Sequence, residues 1–199
     1  MSFEQTVKVP NDRIGVIIGH AGATKKSLEA DLGVQLVIDS KEGTVNVKAL
    51  SIDEADPLTA VRVIEAIGRG FSPQRATRLL QEGVAIEVID LREYSGKSTN
   101  SLDRIRGRVI GLKGKSRRVI EELTRCYVSV YGRTVSIIGE PREVQLAADA
   151  VRTLASGSRH KTVYNTLQKE RTKRKMEKMF LWEGSSPESV AEKLKELEG

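Results

Sequence analysis

One long internal repeat constrains the fold of this sequence more than any single motif. When Gly19 is placed over Gly111, an offset of 92 residues, Gly22 falls on Gly114 and the surrounding segments align. Other aligned pairs are Gly15 with Gly107, Ile18 with Ile110, Leu28 with Ile120 and Leu36 with Val128. A repeat that carries its neighbouring positions with it predicts two copies of one supersecondary unit.

Both copies show the same order of local patterns. An alternating strand comes first, and a short apolar helical turn then leads to a Gly-x-x-Gly pair. An amphipathic helix, two strands and a longer helix follow. The order is therefore β-α-α-β-β-α in each copy. The predicted strands are 6–10, 34–39 and 44–49 in the first copy and 84–91, 127–131 and 134–139 in the second. The closing helices begin at Pro57, with Asp56 as cap, and around Pro141.

The repeat, together with the proline and glycine residues between its copies, divides the chain into four segments. We expect a first unit over 5–70, a linker helix over 71–83, a second unit over 84–158 and a basic helical extension over 159–199. The linker helix should begin with Ser72 as cap and Pro73 and end at Gly83, and should pack against both units. Residues 159–178 carry eight Lys and Arg against two Glu. This run is either a solvated helix or an RNA-binding extension. The final segment, "SSPESVAEKLKELEG", predicts one more capped helix.

Two Gly-Lys-Ser stretches raise the question of a nucleotide-binding P-loop. A P-loop needs a glycine five positions before the Gly of Gly-Lys-Ser. That position is Val109 for the stretch at Gly114 and Leu91 for the stretch at Gly96. Both stretches therefore fail as P-loops, and a bare Gly-x-x-Gly remains at 111–114.

Composition narrows the possible functions. The chain has 199 residues, a net charge of +6, two histidines and one cysteine, Cys126. A basic balance favours a polyanionic partner. No His, Cys, Asp and Glu cluster has metal-ligand spacing, so we expect no metal, no cofactor and no enzyme activity. Cys126 lies in an apolar run and is expected to be a small buried hydrophobe. No signal peptide or membrane-length apolar run is present, so we expect a cytoplasmic protein without a membrane partner.

The paired glycines suit contact with a sugar–phosphate backbone. Backbone N–H groups at a helix N-terminus attract anions, and glycine lets the ligand backbone approach closely. The alternative is a tight turn between two helices and nothing more. Two aligned copies in a basic chain favour backbone binding.

The two copies differ in charge, which predicts that the second binds more strongly. Phosphate neutralisation dominates affinity for nucleic acid. Residues 11–30 carry Arg13, Lys25 and Lys26 against Asp12 and Glu29. Residues 101–120 carry, against Asp103 alone, Arg104, Arg106, Arg108, Lys113, Lys115, Arg117 and Arg118. The variable pair of the first copy is His20-Ala21, and His20 either touches RNA or is simply solvated.

The stretches "IGVIIGHAGATKKSLEADLGVQLVID" and "GRVIGLKGKSRRVIEELTRCYVSV" resemble type I KH domains. The resemblance covers about 5–158 and implies an α+β fold with two tandem units, each a three-stranded antiparallel sheet packed on helices, followed by the C-terminal helical tail. KH modules clamp about four nucleotides of single-stranded RNA. The residues expected to contact RNA are, in the second unit, Arg106, Arg108, Ile110, Gly111, Leu112, Lys113, Gly114, Lys115, Arg117, Arg118, Val128 and Val130, and, in the first, Ile18, Gly19, His20, Ala21, Gly22, Lys25 and Lys26.

A narrower resemblance is carried by "RGFSPQRATRLL" and "GRVIGLKGKSRRVIEELT". These stretches resemble the archaeal and eukaryotic KH-domain assembly factors of the small ribosomal subunit, the Partner of Nob family. The resemblance implies binding near the 3′ end of small-subunit ribosomal RNA and, as partners, the pre-ribosomal small subunit and the endonuclease that matures that end. Eukaryotic members have lost the first Gly-x-x-Gly, whereas Gly19 and Gly22 are intact here. The alternatives are an RNA-binding subunit of a decay or translation-regulating complex and a protein–protein scaffold with vestigial units.

Overall fold

The computed structural model describes residues 3–49, 55–96 and 99–182. The first unit forms an antiparallel sheet of order β1-β3-β2 with helices on one face. Its elements are β1 (Phe3–Lys8), α1 (Asn11–Ile18), α2 (Ala23–Leu32), β2 (Gln35–Asp39), β3 (Thr44–Ala49) and α3 (Pro57–Gly68).

The second unit repeats this arrangement, with a sheet of order β4-β6-β5. A linker of α4 (Pro73–Ala76) and a 3₁₀ turn (Thr77–Leu80) precedes it. Its elements are β4 (Ala85–Asp90), α5 (Arg92–Ser95), α6 (Thr99–Ile110), α7 (Lys115–Thr124), β5 (Tyr127–Tyr131), β6 (Thr134–Gly139) and α8 (Pro141–Ala155), and α9 (His160–Trp182) follows.

The predicted β-α-α-β-β-α order and the two three-stranded antiparallel sheets are confirmed in both units. Several boundaries differ from the prediction, among them those of β1, the linker helix and α6. β1 ends at Lys8, because Val9 N bonds Gly43 O beyond the ladder and Pro10 already precedes α1. The linker helix ends at Leu80 rather than Gly83. In the second unit α6 is a full helix of 12 residues instead of a short turn, and the additional turn of α5 precedes it.

The sequence predicts a side-chain cap at the start of α3 and at the start of α4, and only the cap of α3 is present. The Asp56 carboxylate accepts a 3.0 Å bond from Thr59 N, and Pro57 occupies the first turn, as predicted. Ser72 precedes Pro73 at the start of α4 but makes no side-chain capping bond. Pro73 alone therefore marks that start.

Each unit has its own core between sheet and helices. In the first, Val45 and Val47 of β3 are completely buried with Ile67 of α3. In the second, Ile137 of β6 packs with Ile120 of α7. This alternation of buried residues is what a sheet with one helix-covered face requires.

Cys126 lies at the edge of the second core. Only 2% of its surface is exposed, which confirms the expectation of a small buried hydrophobe. Burial raises the pKa of its thiol to about 11. The thiol is therefore protonated and unreactive at neutral pH.

The two units form one body, because the second sheet uses its other face against the first unit. Ile138 of β6 is completely buried in the core of the first unit. On β5, Ser129 Oγ donates to Arg69 O at 2.9 Å. Tyr131 Oη donates to the Asp12 carboxylate at 2.6 Å, and this bond raises the pKa of Tyr131.

The linker adds charged contacts to the same interface. The guanidinium groups of Arg75 and Arg78 lie 5.0 and 5.1 Å from the centre of the Tyr127 ring. Arg75 also pairs with Glu121 of α7 at 2.9 Å. Cation–π contacts of this kind stabilise by about 0.5–2 kcal/mol each. These linker contacts and the packing of the second sheet on the first unit together fix the relative orientation of the two units.

The basic extension begins as a packed helix. α9 lies against α7 and α8, with Val163 and Leu167 buried and Arg174 paired with Glu143. Residues 159–182 are therefore part of the second unit's surface and not a free tail. The helix predicted in the final segment lies outside the described residues, as do residues 97–98 of the second Gly-Lys-Ser stretch. None of the helices in the described ranges has the length and apolar character needed to span a membrane.

The close approach of the units at Gly70 makes a testable contact. Gly70 has φ +94°, and a Cβ there would lie 2.8 Å from Ser129 Oγ and 2.9 Å from Tyr131 Cβ. Gly70→Ala should lower the free energy of unfolding by about 2–4 kcal/mol, through backbone strain and overpacking together. Gly83→Ala is the matched control, because Gly83 also has positive φ but open space around it. It should cost about 1 kcal/mol. Equal losses in urea titrations of the two variants would contradict the packed interface.

Candidate nucleic-acid interface

The two Gly-x-x-Gly loops have nearly the same backbone. The first glycine has φ/ψ of 73°/178° at Gly19 and 72°/172° at Gly111. The middle residues Ala21 and Lys113 share φ near 50°, and the second glycines share φ 75°. The sequence repeat is therefore a structural repeat down to individual torsion angles.

The two glycines of a loop have different roles. A Cβ on Gly111 would lie 2.6 Å from Ser116 Cβ and 2.7 Å from Ser116 N, and one on Gly19 would lie 2.2 Å from Thr24 Oγ1. Gly114 also needs a positive φ, but a Cβ on this residue would meet nothing within 4 Å. The first glycine thus lets the next helix approach, and the second leaves open space beside the start of that helix.

The start of α7 is available to an anion. The first N–H groups of an α-helix have no partner within the helix. Gly114 occupies the N-cap position and no side chain caps the helix there. Next to it, Leu112 is 84% exposed and Lys113 is exposed. The loop therefore presents a helix start without a side-chain cap, a cation and an apolar side chain together.

The Arg118 side chain supports the Gly111–Gly114 loop through two hydrogen bonds. Its Nη2 donates to Lys113 O at 2.7 Å and its Nε to Gly114 O at 3.4 Å. These bonds hold the loop carbonyls, so the guanidinium lies beside the uncapped start of α7. The aligned residue of the first unit is Lys26, which has no guanidinium fork for such a brace.

Unpaired positive charge is concentrated at the second loop. Within the described residues, Lys113, Lys115 and Arg117 form no ion pair, whereas Lys25 of the first unit pairs with Glu29 at 3.8 Å. Arg106 pairs with Asp103 on the surface, which is worth about 0–1 kcal/mol and leaves the charge accessible. His20 and Ala21 of the first loop are exposed.

Arg108 has a structural role that the sequence did not reveal. Its Nη2 donates to Ser158 O at 2.6 Å and its Nε to Leu154 O at 3.2 Å. The guanidinium thus ties α6 to the C-terminal end of α8. Arg13 holds the end of α3 in the same way, through Ile67 O and Phe71 O. Arg108 therefore supports the site, and its contact with RNA stays a prediction.

Val128 was expected to contact RNA, and for its side chain this expectation is wrong. It is completely buried in the core of the second unit, while Val130 is half-buried. Both face the helices, because β5 turns its other face to the first unit. Ile18 and Ile110 are half-buried beside their loops and remain candidates for apolar contact.

A groove on the α9 side of the second loop was not anticipated. It has a volume of about 510 Å³ and joins α6, the loop, α7 and the first turns of α9. It is lined by Arg104, Gly107, Arg108, Gly111, Leu112, Lys115, Ser116, His160 and Tyr164. No sequence pattern links the last two residues to the loop, because about 50 residues separate them. In the described part of the chain, no three His, Cys, Asp or Glu side chains gather in a metal-binding cluster.

Because the two glycines of the loop have different roles, their alanine variants should differ in stability. Gly111→Ala should lower the midpoint of thermal unfolding by several degrees, because φ +72° with extended ψ is open almost only to glycine and the Cβ meets Ser116. Gly114→Ala has space and a milder left-handed conformation, so it should cost about 1 kcal/mol. A larger loss of stability in Gly114→Ala than in Gly111→Ala would contradict these roles of the two glycines.

Comparison with protein families matches both units. Residues 4–82 match the KH domain family, and residues 85–172 match the family described as eukaryotic type KH-domain (KH-domain type I). The second match extends into α9. The KH domain-containing protein MJ0443 of Methanocaldococcus jannaschii is 45% identical over 185 residues, which cover 92% of this chain and 80% of that protein.

Solved archaeal structures have the same fold over most of the chain. Dim2p from Pyrococcus horikoshii is 45% identical, with a TM-score of 0.77 over 83% of this chain and 98% of that one. The same protein in a complex with a/eIF2alpha and rRNA gives 43% identity and a TM-score of 0.80 over 86% and 96%. Protein APE0754 from Aeropyrum pernix is 34% identical, with a TM-score of 0.85 over 93% and 100%.

Proposed function

The chain belongs to the tandem KH-domain family of archaeal Dim2p, the Partner of Nob family, and on this premise we propose that it is an RNA-binding assembly factor of the small ribosomal subunit. The observation that carries the proposal is the second loop, where the uncapped start of α7 and unpaired cations lie beside Gly111–Gly114. The crystallised complex of Dim2p with rRNA supports ribosomal RNA as the ligand class.

Binding begins with the RNA backbone at the second loop. A phosphate lies against Gly114, where no Cβ intervenes, and accepts hydrogen bonds from the first N–H groups of α7. Lys113, Lys115 and Arg117 neutralise this phosphate and its neighbours. Exposed Leu112 and half-buried Ile110 give the bases an apolar contact. A single strand fits this surface because an A-form duplex hides its base edges.

The first loop has the same backbone but a different surface. Its cations are fewer, and Lys25 is already paired with Glu29. It therefore contributes less to affinity, and the second unit is the main RNA-binding surface.

The finer assignment follows from the family. We place the bound segment near the 3′ end of the small-subunit rRNA and expect the pre-ribosomal small subunit and the maturing endonuclease as partners, in the cytoplasm. In this role the protein holds the RNA and the endonuclease performs the cleavage. The second candidate is a complex that contains a/eIF2alpha, because the Dim2p–rRNA complex includes that protein.

Charge reversal in the loops tests the main binding surface. Leu112→Asp with Lys113→Asp should weaken binding of single-stranded RNA by about ten- to hundredfold, because carboxylates replace an apolar contact and a cation beside the phosphate. The fold should persist, since both side chains are exposed and aspartate tolerates the positive φ of Lys113. Affinity is measured by fluorescence anisotropy, with circular dichroism as the control for folding.

The matched variant changes the first loop in the same way. His20→Asp with Ala21→Asp adds two carboxylates at the aligned positions, where fewer free cations are disturbed. It should lose less affinity than the second-loop variant. A larger loss in the first-loop variant would assign the main surface to Gly19–Gly22.

Salt dependence tests the phosphate contacts. If Lys113, Lys115, Arg117 and Arg118 each neutralise one phosphate, log affinity should fall against log salt with a slope of about −2.8. Affinity would then drop about 50-fold between 50 and 200 mM salt by this relation. A duplex of equal length serves as the comparison and should bind more weakly. Affinity for the single strand that stayed flat over this range would contradict the account.

A further inference from the structure

We propose that α9 extends the RNA-binding surface of the second unit, so that a strand leaving the Gly111–Gly114 loop passes through the groove beside it and runs along α7 and α9 to a separate basic pocket. The inference depends on the proposed function, since it assumes that RNA occupies the loop. The proposal assigns RNA contact to residues of α9. This helix follows the six elements of the second β-α-α-β-β-α unit and is not one of them.

The groove starts at the loop itself. Gly111, Leu112 and Lys115 form one wall, and His160 and Tyr164 of α9 form the other. His160 Nε2 lies 2.9 Å from Arg108 O, which fixes the ring, and the Tyr164 ring packs edge-on to it at 6.0 Å. Aromatic side chains beside a charged groove offer stacking platforms for bases, worth about 1–3 kcal/mol per base.

This groove lies on a different face of α7 from the sheet. Glu121 of α7 accepts a hydrogen bond from Val128 N of β5 at 2.9 Å, so its face of the helix points to the strand. Lys115 and Ser116 line the α9 groove instead. The first unit has no counterpart, because the linker follows α3 where α9 follows α8.

A second, strongly basic pocket of about 300 Å³ lies further along the same two helices, α7 and α9. It is lined by Leu123, Arg125, Glu143, Arg171, Arg174, Lys175 and Lys178. The buried Glu143 carboxylate is paired with Arg174. Among the described residues, the other four cations of the pocket have no ion-pair partner. Four unneutralised charges around one concave site are suited to a phosphate group.

Arg125 gives an independent indication of function at this pocket. Its φ/ψ of 58°/20° is left-handed, and the aligned residue of the first unit is Gly33 with 64°/27°. An arginine in this conformation costs about 1–2 kcal/mol that glycine avoids. A cation there also suits the helix dipole, but Gly33 shows that the turn itself needs no side chain. Strain retained at an exposed residue is typical of a functional position.

The distance between the loop and the basic pocket sets the length of RNA that can contact both. Ten residues separate Lys115 from Arg125, a distance of about 15 Å along a helix. A stacked strand advances about 3.4 Å per phosphate, so a strand needs about four to five nucleotides beyond those at the loop to reach the pocket. An RNA that only fills the loop, about four nucleotides, cannot reach the pocket.

The test compares two lysines of α9 and two lengths of RNA. Lys175→Glu changes the pocket, and Lys169→Glu makes the same change of charge on the opposite side of the helix, since six residues turn it by about 240°. Affinity is measured by anisotropy for single strands of about five and about twelve nucleotides from the 3′ end of small-subunit rRNA. Lys175→Glu should weaken binding of the longer RNA about five- to tenfold and leave the shorter unchanged. Lys169→Glu should change both by less than about twofold.

Several outcomes would overturn the proposal. Full affinity of Lys175→Glu for the longer RNA would do so, and would assign the pocket to an acidic protein partner instead. Equal losses for both lengths, or in both variants, would show a general charge effect and no local contact. If the unaltered protein bound neither RNA, the proposed function itself would fail, which separates the two ideas.

The aromatic end of the groove has its own comparison. Tyr164→Ala should weaken binding of the longer RNA about tenfold, whereas Tyr164→Phe, which keeps the ring, should retain it. Equal affinity of the alanine variant and the unaltered protein would remove Tyr164 from the RNA path.

Discussion

The left-handed glycine at the start of each loop is the constraint on which the rest of the site depends. Gly19 and Gly111 combine φ near +72° with extended ψ, a region open almost only to glycine. This conformation reverses the chain between two helices and places the second helix against the first. As a result, the start of α7 is left uncapped beside Gly114, where a ligand backbone can approach. The binding chemistry is therefore a consequence of one backbone geometry.

The same backbone occurs twice, so the difference between the units lies in what surrounds it. The second loop has several unpaired cations, a supporting Arg118 and a neighbouring helix α9. The first has fewer cations, one of them paired with Glu29, and neither an arginine support nor a counterpart of α9. Packing fixes the units to each other through Ile138, Tyr131 and the linker arginines. In the proposed function, the second unit is the main RNA-binding surface and the first holds it in a defined orientation.

The sequence predicted the parts of this structure that depend on local chemistry. The repeat predicted matching loops, and the Asp56-Pro57 pair predicted the start of α3. The sequence could not show that the Val128 side chain is buried. The alternation of residues identifies two faces of β5, but it does not show that helices cover one face and the first unit covers the other. The structural role of Arg108 was missed for a similar reason. Its acceptors are 46 and 50 residues away, and Arg13, which has the same role, is not at the aligned position. The groove at Tyr164 likewise exists only through the packing of α9.

Crosslinking the protein to RNA in its own cells, followed by sequencing of the RNA and mass spectrometry of the bound peptides, tests the central claim most directly. The account predicts RNA fragments concentrated near the 3′ end of the small-subunit rRNA, attached to peptides that contain Leu112 and Lys113. Fragments distributed over unrelated RNAs, or attachment confined to the loop at His20 and Ala21, would contradict it.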